Sequence, residues 1–188
     1  MSQHDSLAHH FLVAMPSLDG TWFERSVIYL LEDGEDGAMG LVINKPAPYS
    51  VREMLENLDI PVLHNDPKLD LPVHEGGPVD PEHGFVLHQP AGQWRSSMLM
   101  PDDIAMTASL DLLEAMGRGQ FPERMIMTLG YAGWEAGQLQ QELAENSWLT
   151  VPYSRTILFD LPDEDKWSMA LSHLGVSPEF LSREAGHA

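Results

Sequence analysis

The chain has 188 residues, 29 acidic against 10 basic, a formal charge of −19 and no cysteine. That balance repels the phosphates on which DNA affinity rests, so direct nucleic-acid binding is not expected, and disulfides, zinc–thiolate sites and thiolate-held iron–sulfur clusters are ruled out. The length suits one domain over 1–188, and the opening MSQHDSLAHHFLVAMP has neither a basic leader nor an apolar run long enough for a signal core or membrane span, so a cytoplasmic protein is expected.

In chain order, His10 to Met15, Ser26 to Glu32 and Met39 to Asn44 are short runs rich in Val, Ile, Leu and aromatics. They predict strands, the second and third forming a hairpin across EDGEDGAMG. Ser50 predicts an N-cap for SVREMLENL, with Glu53 completing a capping box and Val51, Met54, Leu55 and Leu58 on one face. Residues 60–72, rich in Pro, Asp and Asn, read as an irregular surface loop. Val73 to Glu75, His83 to Gln89 and Trp94 to Met100 read as extended, separated by the turn-rich GGPVDPE and PAGQ. Ser109 to Met116 predicts a second helix closed by Gly117 as its C′ residue.

Arg124 to Leu129 predicts a buried strand leading into LGYAGWEAGQLQQEL, whose helix is expected from about Trp134 to Glu145. Beyond it, Trp148 to Val151 and Thr156 to Phe159 read as extended. Asp163 to Leu174 reads as a helix with Trp167, Ala170, Leu171 and Leu174 inward, and Pro178 to Arg183 as a short closing helix. Without regular βαβ alternation, these elements predict an α+β (mixed α/β) fold with a mixed, largely antiparallel sheet and one parallel crossover permitted between Arg124 and Val151.

The densest motif places Gly130, Tyr131, Gly133, Trp134, Glu135 and Gly137 within eight residues. Backbone N–H groups at a helix start attract anions, but no Lys follows the last glycine, the spacing is not GxGxxG, and Glu135 would repel a phosphate. Packing is the expected role: Gly133 and Gly137, one helical turn apart, let the helix lie against the sheet while Trp134, Leu139 and Leu143 fill the core. The nine histidines include no HxH or HExxH. His74 beside Glu75, with His88 on a neighbouring strand, is the one geometric possibility for a metal, and neither metal nor cofactor is expected. No GxSxG elbow is present. Lys45, one of three lysines, follows Asn44 at a strand end, where loops commonly carry function.

Four segments, LVAMPSLDGTWFERSVIYLLE, GAMGLVINKP, EGGPV with GFVLH, and LGYAGWEAGQLQQELAENSWL, together resemble the bacterial AlgH/YqgE family over nearly the whole chain. The resemblance implies a bifurcated sheet curled toward a pseudo-barrel with flanking helices. It also implies a regulatory label, which in that family comes from a genetic link to alginate production in pseudomonads. It supplies no catalytic residues. The family's motif positions fall here on Asn44, Lys45, Gly76, Gly77, Pro78, His88, Gly130, Tyr131, Gly133, Trp134, Gly137 and Gln138. Asp33 stands where relatives often show His, and MGRGQFPE replaces a more compact turn.

Two functions are therefore expected in competition. One is a cytosolic regulator that binds an unknown protein partner rather than DNA or membrane, with Tyr131 and Trp134 as candidate contacts. The other is a small-molecule binder or unrecognised enzyme, its pocket near the GYAGW turn where Asn44, Lys45, Glu75, His88, Tyr131 and Glu135 would converge. Direct transcription-factor activity ranks last, because no predicted helix carries the basic residues that groove docking requires.

Overall fold

One long strand, β9 (Arg124–Glu135), organises the molecule by having different neighbours along its two halves; the computed structural model describes residues 5–181. The other strands are β1 (His10–Ala14), β2 (Val27–Gly34), β3 (Gly37–Val42), β4 (Pro46–Ser50), β5 (Pro72–Glu75), β6 (Val79–Gln89), β7 (Ser97–Met100), β8 (Ile104–Thr107) and β10 (Trp148–Pro152). Four helices flank them: α1 (Val51–Asn57), α2 (Leu110–Gly117), α3 (Gln138–Ala144) and α4 (Asp163–Ser172). The sheet runs β10-β1-β2-β3-β9-β6-β8-β7, with β5 against β9 and β4 outside β5. The first half of β9 lies between β6, antiparallel, and β5, parallel through His74↔Thr128 and Glu75↔Leu129. Its second half pairs with β3, Ala132 opposite Gly40 and Glu135 opposite Gly37. This sheet, otherwise antiparallel, curls into a half-barrel.

Alternate residues of the strands feed different cores, as the two-residue period of a pleated strand requires. Phe11 and Val13 of β1, with Val27, Tyr29 and Leu31 of β2, point into the cluster enclosed by the curl and closed by Leu158, Ala170 and Leu171. Leu12, Ala14, Ile28 and Leu30 point outward to Trp134, Leu139 and Trp148. On the other half of the sheet, Met125 and Met127 pack outward under α1 and α2 with Leu55, Leu112 and Met116. Burial on both faces explains the near-continuous apolar runs of these strands.

Several elements match the reading of the sequence and several correct it. The hairpin turns at Glu35–Asp36, between Gly34 and Gly37. Ser50 Oγ accepts from Glu53 N at 3.2 Å and Glu53 Oε1 accepts from Ser50 N at 3.3 Å, completing the capping box. Leu58, expected on the inner face of α1, is instead 45% exposed, because the seven-residue helix stops at Asn57. The expected α3 start at Trp134 is wrong: pairing with β3 holds Trp134 and Glu135 in β9, and the helix begins only after Gly137, at φ 79°. Gly117 lies inside α2, and the left-handed residue is Gly119. Thr156–Asp160 forms a π-helical turn rather than a strand. Leu174 lies beyond α4 and is exposed. Strands β4 and β8 carry no sequence signal of their own and are held by their neighbours. The parallel partner of β9 is β5, while β10 lies at the far edge beside β1. Residues 60–72 include a 3-10 turn at Pro67–Asp70 with Leu69 fully buried, so that loop is anchored. The closing turn spans Pro178–Phe180; the rest of the expected helix, to Arg183, lies outside the described residues.

Candidate functional site

The two glycine motifs meet backbone to backbone. After Glu75, the chain crosses over β9: Gly76 N donates to the Leu129 carbonyl at 2.7 Å, and Val42 N donates to the Gly76 carbonyl at 2.9 Å. A Cβ on Gly77 would overlap the Tyr131 carbonyl, one on Gly76 the Gly130 carbonyl, and one on Gly130, at φ +76°, the Gly77 carbonyl. The EGGP and LGYAGW segments are therefore complementary halves of one crossing, the point where β9 changes neighbours. The rest of the second motif is stitching. Trp134 and Trp148, edge to face at 6.0 Å, both donate their indole N–H to Glu142 Oε1, at 3.0 and 2.9 Å. Gln138 Oε1 accepts from Glu135 N at 2.9 Å and so ties the end of β9 to the first residue of α3.

The seven candidate residues fall in three places. Asn44 and Lys45 fasten the segment between β1 and β2. Asn44 Oδ1 accepts from Val27 N and its Nδ2 donates to the Arg25 carbonyl, each at 2.9 Å. Lys45 Nζ donates to the Trp22 carbonyl at 2.7 Å and lies 3.6 Å above the Trp22 ring. Burial lowers its pKa, while Glu75 and Glu24 oppose that shift. Glu75 N donates to the Lys45 carbonyl at 2.8 Å, which puts Glu75 beside this group. Tyr131, Trp134 and Glu135 line an open groove shared with the β2–β3 turn, whose rim is Glu32, Asp33, Glu35 and Asp36. Trp134 is only 7% exposed there, its ring committed to the core. His88 is fully buried elsewhere, donating through Nδ1 to the Pro90 carbonyl at 2.9 Å and accepting at Nε2 from the Thr107 hydroxyl at 2.7 Å. Burial pushes its pKa below the ordinary value. His74 and His88 share no ligand cluster, and among the described residues no three His, Asp or Glu side chains gather around a metal-sized site.

Two other sites have stronger geometry. The first is an apolar furrow between α1 and α2. A cavity of about 210 Å³ is lined by Met54, Leu58, Leu110, Leu113, Met127 and Leu129 among others. Leu58 and Leu110 also line an adjoining cavity of about 400 Å³ with Ile60 and Leu63. Leu58, Leu63 and Leu110 are 45%, 66% and 55% exposed. The acidic residues on this furrow are Glu82, Asp59 and Glu114, with Arg118 the one Lys or Arg among the described residues that line it. The second site is a cleft of about 220 Å³ between β5, β9, the π-helical turn and α4. It brings together His74, Asp163 and Lys166, whose sequence separation hid them: Asp163 Oδ2 lies 2.8 Å from His74 Nε2, 89 residues away. A third polar group, His9 with Tyr29 at 2.7 Å and Asp102 at 2.8 Å, ends on a fully buried tyrosine and ties the residue before β1 to β2 and to the β7–β8 turn.

A family model described as AlgH-like matches residues 11–179. The chain belongs to the AlgH-like family. It is 50% identical to a UPF0301 protein of Hydrogenovibrio crunogenus over 187 residues, all of both chains, and 50% identical to one of Chromobacterium violaceum over 97% of this chain and 98% of that one. A solution structure of the AlgH protein from Pseudomonas aeruginosa superposes over all of both chains with a TM-score of 0.79 at 45% identity. The fold extends to a protein of Corynebacterium diphtheriae, with a TM-score of 0.69 at 21% identity over 91% of this chain and 88% of that one. Of the motif positions, Gly76, Gly77 and Gly130 form the crossing and Asn44, Lys45, His88, Trp134 and Gln138 hydrogen-bond one segment to another, while none of them lines the furrow or the cleft. No helix among the described residues is long and apolar enough to cross a membrane.

Proposed function

We propose that this AlgH-like protein is a cytosolic regulator that acts by binding another protein, and that the furrow between α1 and α2 receives it. The observation that carries the proposal is the continuous apolar floor with three exposed leucines, since contiguous exposed apolar surface on a soluble protein marks contact with a partner. The occupant is an amphipathic segment, apolar on one side and basic on its flanks. The leucines supply the apolar contact, and Asp59, Glu82 and Glu114 within a molecule of charge −19 supply the attraction. The regulatory half of the proposal follows the family resemblance, and the choice of protein over DNA follows the charge.

The test uses a basic amphipathic helical peptide and a scrambled peptide of identical composition, titrated against the purified protein. Charge alone attracts both equally. The amphipathic peptide is expected to bind at least about tenfold more tightly, and Leu58→Glu with Leu110→Glu to remove that preference while circular dichroism stays unchanged. Equal affinities, or a preference untouched by the two substitutions, contradict the proposal.

A further inference from the structure

The cleft beside α4 has no part in partner binding as proposed above, yet it holds the most unusual side chain of the molecule. Lys166 is 2% exposed, on a helix whose neighbouring sequence, DEDKW, gives no hint of burial. Its Nζ donates to the Leu158 carbonyl at 2.7 Å, the one hydrogen bond it makes among the described residues, although an ammonium has three donors. The same cleft contains the His74–Asp163 pair. Asp163 Oδ2 accepts from His74 Nε2, and the His74 Nδ1 is buried without a hydrogen-bond partner among the described residues. Buried polar atoms are rarely left unpaired. The far wall is Phe159 of the Thr156–Asp160 turn. A π-helical segment of this kind is rare and frequently marks a functional position.

We infer that this cleft is a reactive-lysine site, in which the Lys166 amine forms an imine with a small, apolar aldehyde or ketone. The walls select the substrate class: Val51, Leu71, Met125, Met127 and Leu161 favour an uncharged, aliphatic molecule, and Asp163 repels an anion. At about 220 Å³ the cleft is below the roughly 300–1,000 Å³ of drug-sized pockets, so the molecule is compact. Burial lowers the Lys166 pKa to about 8 against the pull of Asp163 and Asp160, which leaves a substantial fraction of free amine near neutrality. The nitrogen lone pair attacks the carbonyl carbon, and a proton passes from nitrogen to oxygen to give the carbinolamine. Loss of that hydroxyl with one proton, as water, leaves the C=N bond. Neither oxidant nor reductant is consumed. The His74–Asp163 pair on the same cleft accepts the proton released by Lys166 and returns one to the departing hydroxyl.

The chain's three lysines make the test direct, because Lys45 and Lys68 serve as internal controls. The intact protein is incubated with butanal and cyanoborohydride, which reduces the imine to a stable amine, and the sites are quantified by peptide mass spectrometry. The Lys166 adduct is expected to saturate with butanal concentration and to rise with a midpoint near pH 8, whereas Lys45 and Lys68 adducts grow in proportion to butanal. Absence of a Lys166 adduct, or a Lys166 yield that grows linearly like the others, overturns the assignment without recourse to any variant. His74→Gln is expected to slow labelling of Lys166 about tenfold and to leave Lys68 unchanged. An unchanged Lys166 rate in that variant removes the proton-transfer role of the pair.

Discussion

Two buried bases, Lys166 and His88, make individual side chains measurable through pH. The Lys166 pKa falls from 10.5 to about 8 on folding, so the unfolded chain holds its proton more tightly and the native state carries a full penalty below pH 8. That penalty is relieved as pH rises toward 10.5, and between pH 7 and pH 9 the wild type is expected to gain about 1 kcal/mol from this group. Urea unfolding at the two pH values checks it: Lys166→Met abolishes the gain, and at pH 7 changes stability by less than about 2 kcal/mol, because losing the buried charge offsets leaving the Leu158 carbonyl unpaired. His88 behaves in the same sense at lower pH. Its folded pKa lies below the ordinary 6.5, so stability declines as pH drops through 6.5, and His88→Gln flattens that decline. Neither residue was legible in the sequence as a buried group. A lysine between Asp165 and Trp167 has the pattern of a solvated face, and its burial depends on a turn whose strand-like composition conceals a π-helix.

At the scale of elements, local grammar was readable and long-range pairing was not. The Ser50–Glu53 box and the β2–β3 hairpin depend on residues a few positions apart, and both form as their sequence predicts. The start of α3 does not, because pairing to β3 holds Trp134 and Glu135 extended against their helical pattern. The glycines of that motif then separate by role. Gly77→Ala is expected to cost at least about 3 kcal/mol or to prevent folding, since its Cβ would overlap the Tyr131 backbone and strand and crossing would have to part. Gly137→Ala meets nothing within 4 Å but must hold φ +79°, at about 1 kcal/mol. Gly133→Ala meets only the edge of the Tyr131 ring at 3.4 Å and stays within about 1 kcal/mol of the wild type. Thermal and urea unfolding of the three variants give this order directly. An equal cost at Gly133 and Gly77 would mean that the motif is not built around the crossing.

For the molecule as a whole, charge and shape point the same way. With a formal charge of −19 the purified protein is expected to stay free of DNA at about 0.15 M salt, checked by mobility shift on genomic fragments, where retention resistant to salt would contradict partner-mediated regulation. The family was legible from four segments, two of which, EGGPV and LGYAGW, meet in the crossing on β9, and the curled sheet followed from the resemblance. The furrow was not: Leu58 has the spacing of a core residue and becomes exposed only because α1 ends before it. The most direct measurement places a photo-reactive amino acid at Leu63 or Leu110 in the furrow, or at Gln141 on α3, in living cells. A discrete protein adduct is expected from the two furrow positions and not from position 141, and Leu58→Glu should abolish it. An adduct of the same mass from all three positions, or one that survives Leu58→Glu, would contradict docking in the furrow.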